Sequence, residues 1–281
     1  MNNENFPVLD PDAIAATRDA LHAYSQVLGS WPEACRPRRK HWWHISLRPT
    51  VRGLSTGLVH ATVDFELQLD LRASVLSGQV AGGGELRESL QGQSAAELAD
   101  LTTAFLVREG VSPDLAPDAD TSQEWTQAWS GYQPDTAAAI ARAWTSIAGA
   151  MATLRAGIPE ETSPIQLWSH HFDLAMVWLP GEKIPGQDPA DEEHSDKQMN
   201  FGFTLGDAGI PEPYFYVTAY PQPDALPNLP LPDGTTWHTE GFSGAVLLYR
   251  DLLEQAEPER YLLDLWRTLV AAGREHLLEK S

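Results

Sequence analysis

Apolar residues that recur every three or four positions predict four helices along the chain. The helix starts are marked, in chain order, by Asp10 with Pro11, by Ser94 with Glu97, by Asp135, and by Pro258. Aspartate and serine are favoured N-caps, and serine followed three residues later by glutamate is the capping-box pattern. The third helix has the longest apolar stripe, made of Ile140, Trp144, Ile147, Met151 and Leu154. Each helix is therefore predicted to pack on a core through one face.

Between the helices, alternating apolar and polar residues predict strands. Apolar residues occupy every second position from Val63 to Leu69, which is typical of a strand with one face in water. Residues 73–81 are predicted to return as its hairpin partner. Further strands are predicted at 165–178, 199–205 and 213–220.

The order of these elements predicts the fold class. Runs of antiparallel strands flanked by helices indicate an α+β fold and not a doubly wound α/β fold. The 281 residues are predicted to form a single compact domain, because a chain of this length buries a large core. Helices and strands follow a similar order in residues 1–110 and 135–281, which is consistent with a duplicated helix, strands, helix unit.

Composition and charge narrow the classes of function. With 19 basic and 39 acidic residues the formal net charge is −20, which disfavours binding to nucleic acid and to anionic membranes. Cys35 is the only cysteine, so neither an internal disulfide nor a multi-cysteine zinc site is expected. The first residues lack a secretory signal pattern, and no apolar run is long enough to cross a bilayer. A soluble cytoplasmic protein is therefore predicted.

The stretch IQLWSHHFDLAMVW, residues 165–178, carries two histidines and an aspartate in an otherwise apolar strand. Buried polar groups must be hydrogen-bonded or bind something, so chemistry is first expected here. Side chains alternate along a strand, which puts His170 on the heavier apolar face. His171 and Asp173 share the other face, about 7 Å apart at the backbone. They could act on a ligand together, bind one metal, or form an internal pair with a purely structural role.

The HWWH segment is interpreted in the same way. If it is a strand, His41 and His44 face opposite sides and cannot bind one ion together. His44 would then share its side with Trp42, Ser46 and Arg48. This polar and aromatic set is a candidate lining for a cavity.

Further candidates lie towards the C-terminus. Trp237 precedes His238, and Glu240 shares the face of His238 if the backbone is extended. Tyr216 and Tyr220 belong to a hydroxyl-bearing stripe along one predicted strand. Such a stripe is more typical of a half-buried sheet face than of a ligand platform, but it adds candidate binding groups.

Several motifs occur in an order that resembles a bacterial family known as domain-of-unknown-function family 5996. They are HWWHISL, SPIQLW leading into HFDLA, NFGF, EPYFYVTAYPQP, and the WHTEGF stretch before the last helix. The resemblance spans nearly the whole chain and implies a fold unit but no activity. It also implies a family histidine three residues before the aspartate, which corresponds to His170 and makes His171 a variation. The family's serine, histidine and glutamate before NFGF are matched by EEHSD, with His194, only in another order.

Three functions stand as hypotheses. The preferred one is a small-molecule-binding protein or enzyme with a pocket lined by His, Asp, Tyr and Trp. The catalytic candidates are His171, Asp173, His238 and Glu240, and the ligand-binding candidates are Trp42, His44, Arg48, His170, Tyr216, Tyr220 and Trp237. One alternative is a metal-dependent oxygenase-like or hydrolytic enzyme with two histidines and one carboxylate. The other is a non-enzymatic interaction protein that presents its tryptophans. Cofactor, metal and oligomeric state are left open.

Overall fold

A computed structural model describes residues 5–116 and 122–278. These residues form two compact units. The first contains the described residues up to Thr145 together with Gln166–Phe172, and the second contains Ser146–Ile165 and the described residues from Asp173 onward. Helices and two antiparallel sheets make up the described part, which confirms the predicted α+β fold.

In chain order the helices and strands are α1 (Pro11–Cys35), β1 (Arg48–Thr50), β2 (Gly53–Ser55), β3 (Phe65–Asp70), β4 (Val75–Val80), β5 (Glu85–Ser89), α2 (Ala95–Arg108), α3 (Gln123–Thr126), α4 (Pro134–Ala156), β6 (Glu161–Thr162), β7 (Gln166–Trp168), β8 (Asp173–Leu179), α5 (Glu192–Ser195), β9 (Gln198–Thr204), β10 (Tyr214–Tyr220), β11 (Thr235–His238), β12 (Gly244–Leu248), α6 (Tyr249–Leu253) and α7 (Pro258–His276). The four long helices α1, α2, α4 and α7 coincide with the four predicted ones, which are confirmed. The strands predicted at 199–205 and 213–220 are confirmed as β9 and β10.

Local capping explains where the first two long helices begin. The Asp10 carboxylate accepts hydrogen bonds from the backbone amides of Asp12 and Ala13, each at 3.0 Å. At the start of α2 the Ser94 hydroxyl accepts from the Glu97 amide at 3.2 Å, and the Glu97 carboxylate accepts from the Ser94 amide at 2.8 Å. Both caps satisfy amide groups that have no partner within their helix.

The sheet of the first unit is a meander. Strands β1 to β5 pair with their sequence neighbours, all antiparallel. β3 and β4 form the predicted hairpin, with Phe65 opposite Val80 and Asp70 opposite Val75. Alternation along β3 buries Phe65, Leu67 and Leu69, as the sequence pattern predicts.

The second unit packs one face of its sheet against α7. Its strands follow the order β11, β12, β10, β9, β8, β6, and each pairing is antiparallel. Trp266 of α7 meets Phe201 and Phe215 edge-on, with ring centroids 6.4 and 6.1 Å apart. A Cβ atom at Gly273 would collide with the Met199 side chain, so glycine lets the helix approach the sheet closely. This face forms the core, and the opposite face carries the polar residues discussed below.

The prediction of one strand over residues 165–178 is wrong. β7 ends at Trp168 and β8 begins at Asp173, and the residues between them form a turn. The turn is closed by a 2.7 Å hydrogen bond from the Phe172 amide to the Trp168 carbonyl, with Phe172 left-handed at a φ of 56°. Alternation therefore does not run through the two histidines, and the faces assigned to them are wrong.

The prediction of a strand at HWWH is also wrong. A 3-10 turn spans Lys40–Trp42, and both His41 and Trp42 are left-handed, with φ of 49° and 57°. An extended backbone cannot include two such residues, so the separation of His41 from His44 by strand parity has no basis here.

Two broader expectations need separate statements. The duplicated unit stays a prediction, since the sequential meander of the first unit differs in strand order from the sheet of the second. Among the helices that the structure describes, none is both long and apolar enough to cross a membrane.

Candidate functional site

The candidate site lies on the face of the second sheet opposite α7. Residues paired across antiparallel strands point to the same side, and the register aligns β8, β9 and β10 on this side. We call it the tyrosine face and define it by Asp173, Ala175, Asn200, Gly202, Thr204, Tyr214, Tyr216, Thr218 and Tyr220. Its polar side chains contrast with the aliphatic and aromatic residues of the core face.

A buried aspartate and a tyrosine are joined across this face. The Tyr216 hydroxyl donates a short hydrogen bond to Asp173 Oδ2, and Asp173 is only 8% exposed. The tyrosine ring crosses β9 directly over Gly202, where any Cβ atom would overlap the ring. Glycine at that position is therefore what lets Tyr216 reach the aspartate.

The electrostatics of this pair keep the proton on the tyrosine. Burial, followed by the nearby charge of Asp173, raises the pKa of Tyr216 well above its ordinary value. Tyr216 therefore stays a protonated donor at neutral pH, and Asp173 is its acceptor. This arrangement can hold a ligand or position a second donor against the carboxylate.

A second aspartate and tyrosine pair on the same face has a structural explanation. The Tyr214 hydroxyl donates to Asp207 Oδ2 at 2.6 Å, while Oδ1 accepts from the amides of Gly209 and Ile210 at 2.7 and 2.9 Å. Burial by itself would raise the pKa of Asp207, but these hydrogen bonds outweigh it and lower that pKa. The exposed Asp207 thus fastens the loop after β9 and needs no ligand to account for it.

Phe242, in the loop between β11 and β12, covers one end of the tyrosine face. Its ring stacks on Tyr214 with centroids 6.4 Å apart and meets Tyr216 edge-on at 6.3 Å. The His238 ring lies 4.6 Å from it. Through this phenylalanine the structure connects His238 with the Tyr216 and Asp173 pair, so three of the predicted site residues belong to one cluster.

Other predicted residues of the second unit do not join that cluster through their functional groups. Glu240 is exposed, and its backbone carbonyl, not its carboxylate, lies 2.6 Å from His238 Nε2. The Trp237 indole donates to the Leu229 carbonyl at 2.9 Å. Tyr220 is half-buried at the far end of its strand, edge-on to the His194 ring at 5.5 Å.

The predicted histidines of the first unit occupy turns. His170 and His171 are both exposed in the turn after β7, so the expectation that His170 is a core residue is wrong. The backbone carbonyl of His170 lies 3.2 Å from Nε2 of His22, a histidine that sequence reasoning missed. His22 also stacks on Phe172 with ring centroids 5.0 Å apart, which helps to hold the turn.

The HWWH turn brings Trp42 and His44 together as predicted, although on a different backbone. Their rings stack at 5.7 Å, and His44 is buried while Trp42 remains 39% exposed. Burial first, with Arg38 and Arg36 adding to it, lowers the pKa of His44, whose Nδ1 lies 3.3 Å from the Arg39 amide nitrogen. His44 is therefore neutral at pH 7. Arg48, at the start of β1, is exposed.

Sequence reasoning missed Gly202, Asp207 and Phe242. The signal for Gly202 is its place inside the apolar run of the NFGF motif, since a glycine in a strand often marks a close approach by another group. Asp207 and Phe242 lie in loops and carry no comparable pattern. Their partners are defined only by the pairing of distant strands.

Two observations limit the chemistry of the site. Within residues 5–116 and 122–278, no group of three or more His, Cys, Asp or Glu side chains is arranged to hold a metal ion. A small cavity beside Thr218, Trp237 and Leu269 measures about 10 Å³, which is room for about one water molecule and no organic ligand. The tyrosine face itself remains the candidate site.

Comparison with known proteins assigns the chain to a family. No curated protein and no solved structure gives a significant match. One family model matches residues 6–277, which is nearly the whole chain. The chain therefore belongs to DUF5996, a family of unknown function.

Proposed function

We propose that the chain is a small-molecule-binding protein whose ligand is anchored on the tyrosine face by Asp173. The observation that carries this proposal is a carboxylate at 8% exposure whose tyrosine donor reaches it only because position 202 is glycine. Burying a carboxylate is costly, and a donor from a ligand would offset part of that cost.

The contrast between the two aspartates supports the choice of Asp173. Asp207 is accounted for by the loop that it fastens, through three hydrogen bonds within its own segment and Tyr214. Asp173 neither caps a helix nor closes a turn, and it begins a strand whose seven residues are all buried. A ligand-anchoring role would explain a carboxylate at that position.

The neighbouring groups indicate the chemistry of the ligand. Because Tyr216 keeps its proton, Asp173 acts as an acceptor, and the ligand would offer an amine, amide or hydroxyl donor. The rings of Tyr214 and Phe242 lie beside this acceptor and suit a ligand with an apolar or planar part. His238, against Phe242, stands at the rim of the same cluster.

The tryptophans argue against a partner surface as the main function. Trp31, Trp144, Trp178 and Trp266 are each less than 2% exposed, as expected of core residues. The large apolar residues with high exposure, such as Val8, Val51 and Leu58, are not aromatic. Scattered exposed aliphatic residues are normal on a protein surface.

A thermal-shift screen with amines, amino acids, sugars and nucleosides tests the proposal. We expect one class to raise the melting temperature of the wild type, because a ligand that binds only the folded state stabilises it. Asp173→Asn should remove that response. Tyr214→Phe, which breaks only the structural pair, should respond as the wild type does. Tyr216→Phe keeps the ring and serves as a second site variant if Asp173→Asn melts without cooperativity. A response of equal size in the Asp173 and Tyr216 variants, or none with any class, would contradict the proposal.

A further inference from the structure

A second polar network lies entirely in the first unit, where the segment after α1 pairs with β7. Leu47 and Leu167 exchange two backbone hydrogen bonds, at 2.9 and 2.8 Å. Beside them the Ser46 hydroxyl lies 3.1 Å from the Trp43 carbonyl and 2.5 Å from Gln166 Oε1. Ser46 thus links the HWWH turn to the side chain of Gln166.

This network contains two buried N–H groups without acceptors. Gln166 is 2% exposed, and its Nε2 has no hydrogen-bond partner in the described part of the chain. The same holds for the buried indole Nε1 of Trp43. Exchanging the amide nitrogen and oxygen of Gln166 would let the nitrogen donate to Ser46 but would leave the oxygen without a donor. One polar atom of Gln166 therefore needs a further partner in either orientation.

Backbone strain is concentrated in the same place. Across residues 5–116 and 122–278, four non-glycine residues are left-handed, and three of them are His41, Trp42 and Phe172. They lie in the HWWH turn and in the turn that follows β7. Left-handed backbone is costly for such bulky residues and persists where the surrounding structure maintains it. Stacking of His41 on Trp43, with centroids 6.1 Å apart, helps to hold the turn in this form.

We propose that Gln166 and Trp43 form a second ligand site, separate from the tyrosine face, that accepts a small carboxylate. The two groups are donors of neutral N–H bonds, so the missing partner is an acceptor oxygen. The Lys40 ammonium lies 5.1 Å from the Trp43 ring centroid, and its positive charge favours a carboxylate oxygen over a neutral carbonyl. The proposal explains why unsatisfied donors and strained backbone occur together.

An acetate titration of the full chain tests this site, with sodium chloride at equal ionic strength as the reference. We expect a saturable shift of the Trp43 indole N–H signal in a ¹H–¹⁵N spectrum, assigned by its loss in Trp43→Phe. The melting temperature should rise over the same acetate range. Gln166→Leu should weaken acetate binding at least tenfold. Without acetate it should melt no lower than the wild type, because it removes a buried amide that lacks a partner.

A matched control is available in Gln198. It is also buried, but its Nε2 already donates to the Glu193 carbonyl at 2.9 Å. Gln198→Leu should therefore lower the melting temperature without acetate and still bind acetate as the wild type does. If neither acetate, formate nor propionate shifts the Trp43 signal, a buried water is the missing partner and the carboxylate site is refuted. An equal shift in Gln166→Leu would refute it as well. Neither result bears on Asp173, so this proposal and the proposed function fail independently.

Discussion

The substitution Gly202→Ala tests the geometry on which the tyrosine face depends. The new methyl group would occupy space taken by the Tyr216 ring, and its nearest atoms are Cζ, Cε1 and Oη of that ring. Because β9 is flanked by β8 and β10, the backbone of Gly202 has little freedom to withdraw. The ring must move, and its hydroxyl then leaves Asp173.

The expected cost follows from three contributions. Overpacking a tightly filled position typically costs about 1–3 kcal/mol. Loss of a hydrogen bond to a charged acceptor costs about 1.5–3 kcal/mol. Replacing glycine by alanine in a strand returns about 0.5–1 kcal/mol through the unfolded chain. We therefore expect Gly202→Ala to lower the free energy of unfolding by about 2–5 kcal/mol.

Urea unfolding followed by tryptophan fluorescence measures this change, and a double-mutant cycle assigns its cause. In a Tyr216→Ala background the ring is gone, so Gly202→Ala should cost at least about 1 kcal/mol less than in the wild type. Gly149→Ala is the control, since a Cβ atom there meets nothing within 4 Å in α4, and it should stabilise by about 0.5–1 kcal/mol. A wild-type free energy of unfolding for Gly202→Ala, or equal costs in both backgrounds, would refute the reasoning.

Three further predictions concern stability away from the tyrosine face. Ser94→Ala removes the N-cap of α2 and should cost about 1 kcal/mol in urea unfolding, while Ser94→Thr should retain most of that free energy. The hydrogen bond from Arg274 lowers the pKa of Glu160 below 4.5, so its contribution to stability is present above that pH and lost as the pH falls through the folded pKa. Glu160→Gln should therefore flatten the pH dependence of the urea midpoint in acid, and an unchanged slope would contradict this. Lys197 Nζ donates to the Leu277 carbonyl at 2.8 Å, so Lys197→Met should speed amide hydrogen exchange in the last turn of α7 and leave α2 unchanged.

The amino-acid sequence determined the helices and most of the strands, because their signals act over a few residues. The capping box of Ser94 with Glu97 and the alternation from Phe65 to Leu69 need no distant partner to be recognised. The polar position of Asp173 in an apolar run was equally visible. Its correct interpretation as a candidate site residue needed only the rule that buried polar groups require partners.

Tertiary structure alone decided which partner Asp173 has and where its strand begins. Tyr216 lies 43 residues further along the chain, and only the register of β8, β9 and β10 brings its hydroxyl to the carboxylate. The turn before β8 depends on left-handed Phe172, which packs on His22 and on Trp144. Such a backbone state opposes local preference, so it is maintained by long-range packing and is invisible to any pattern read from neighbouring residues.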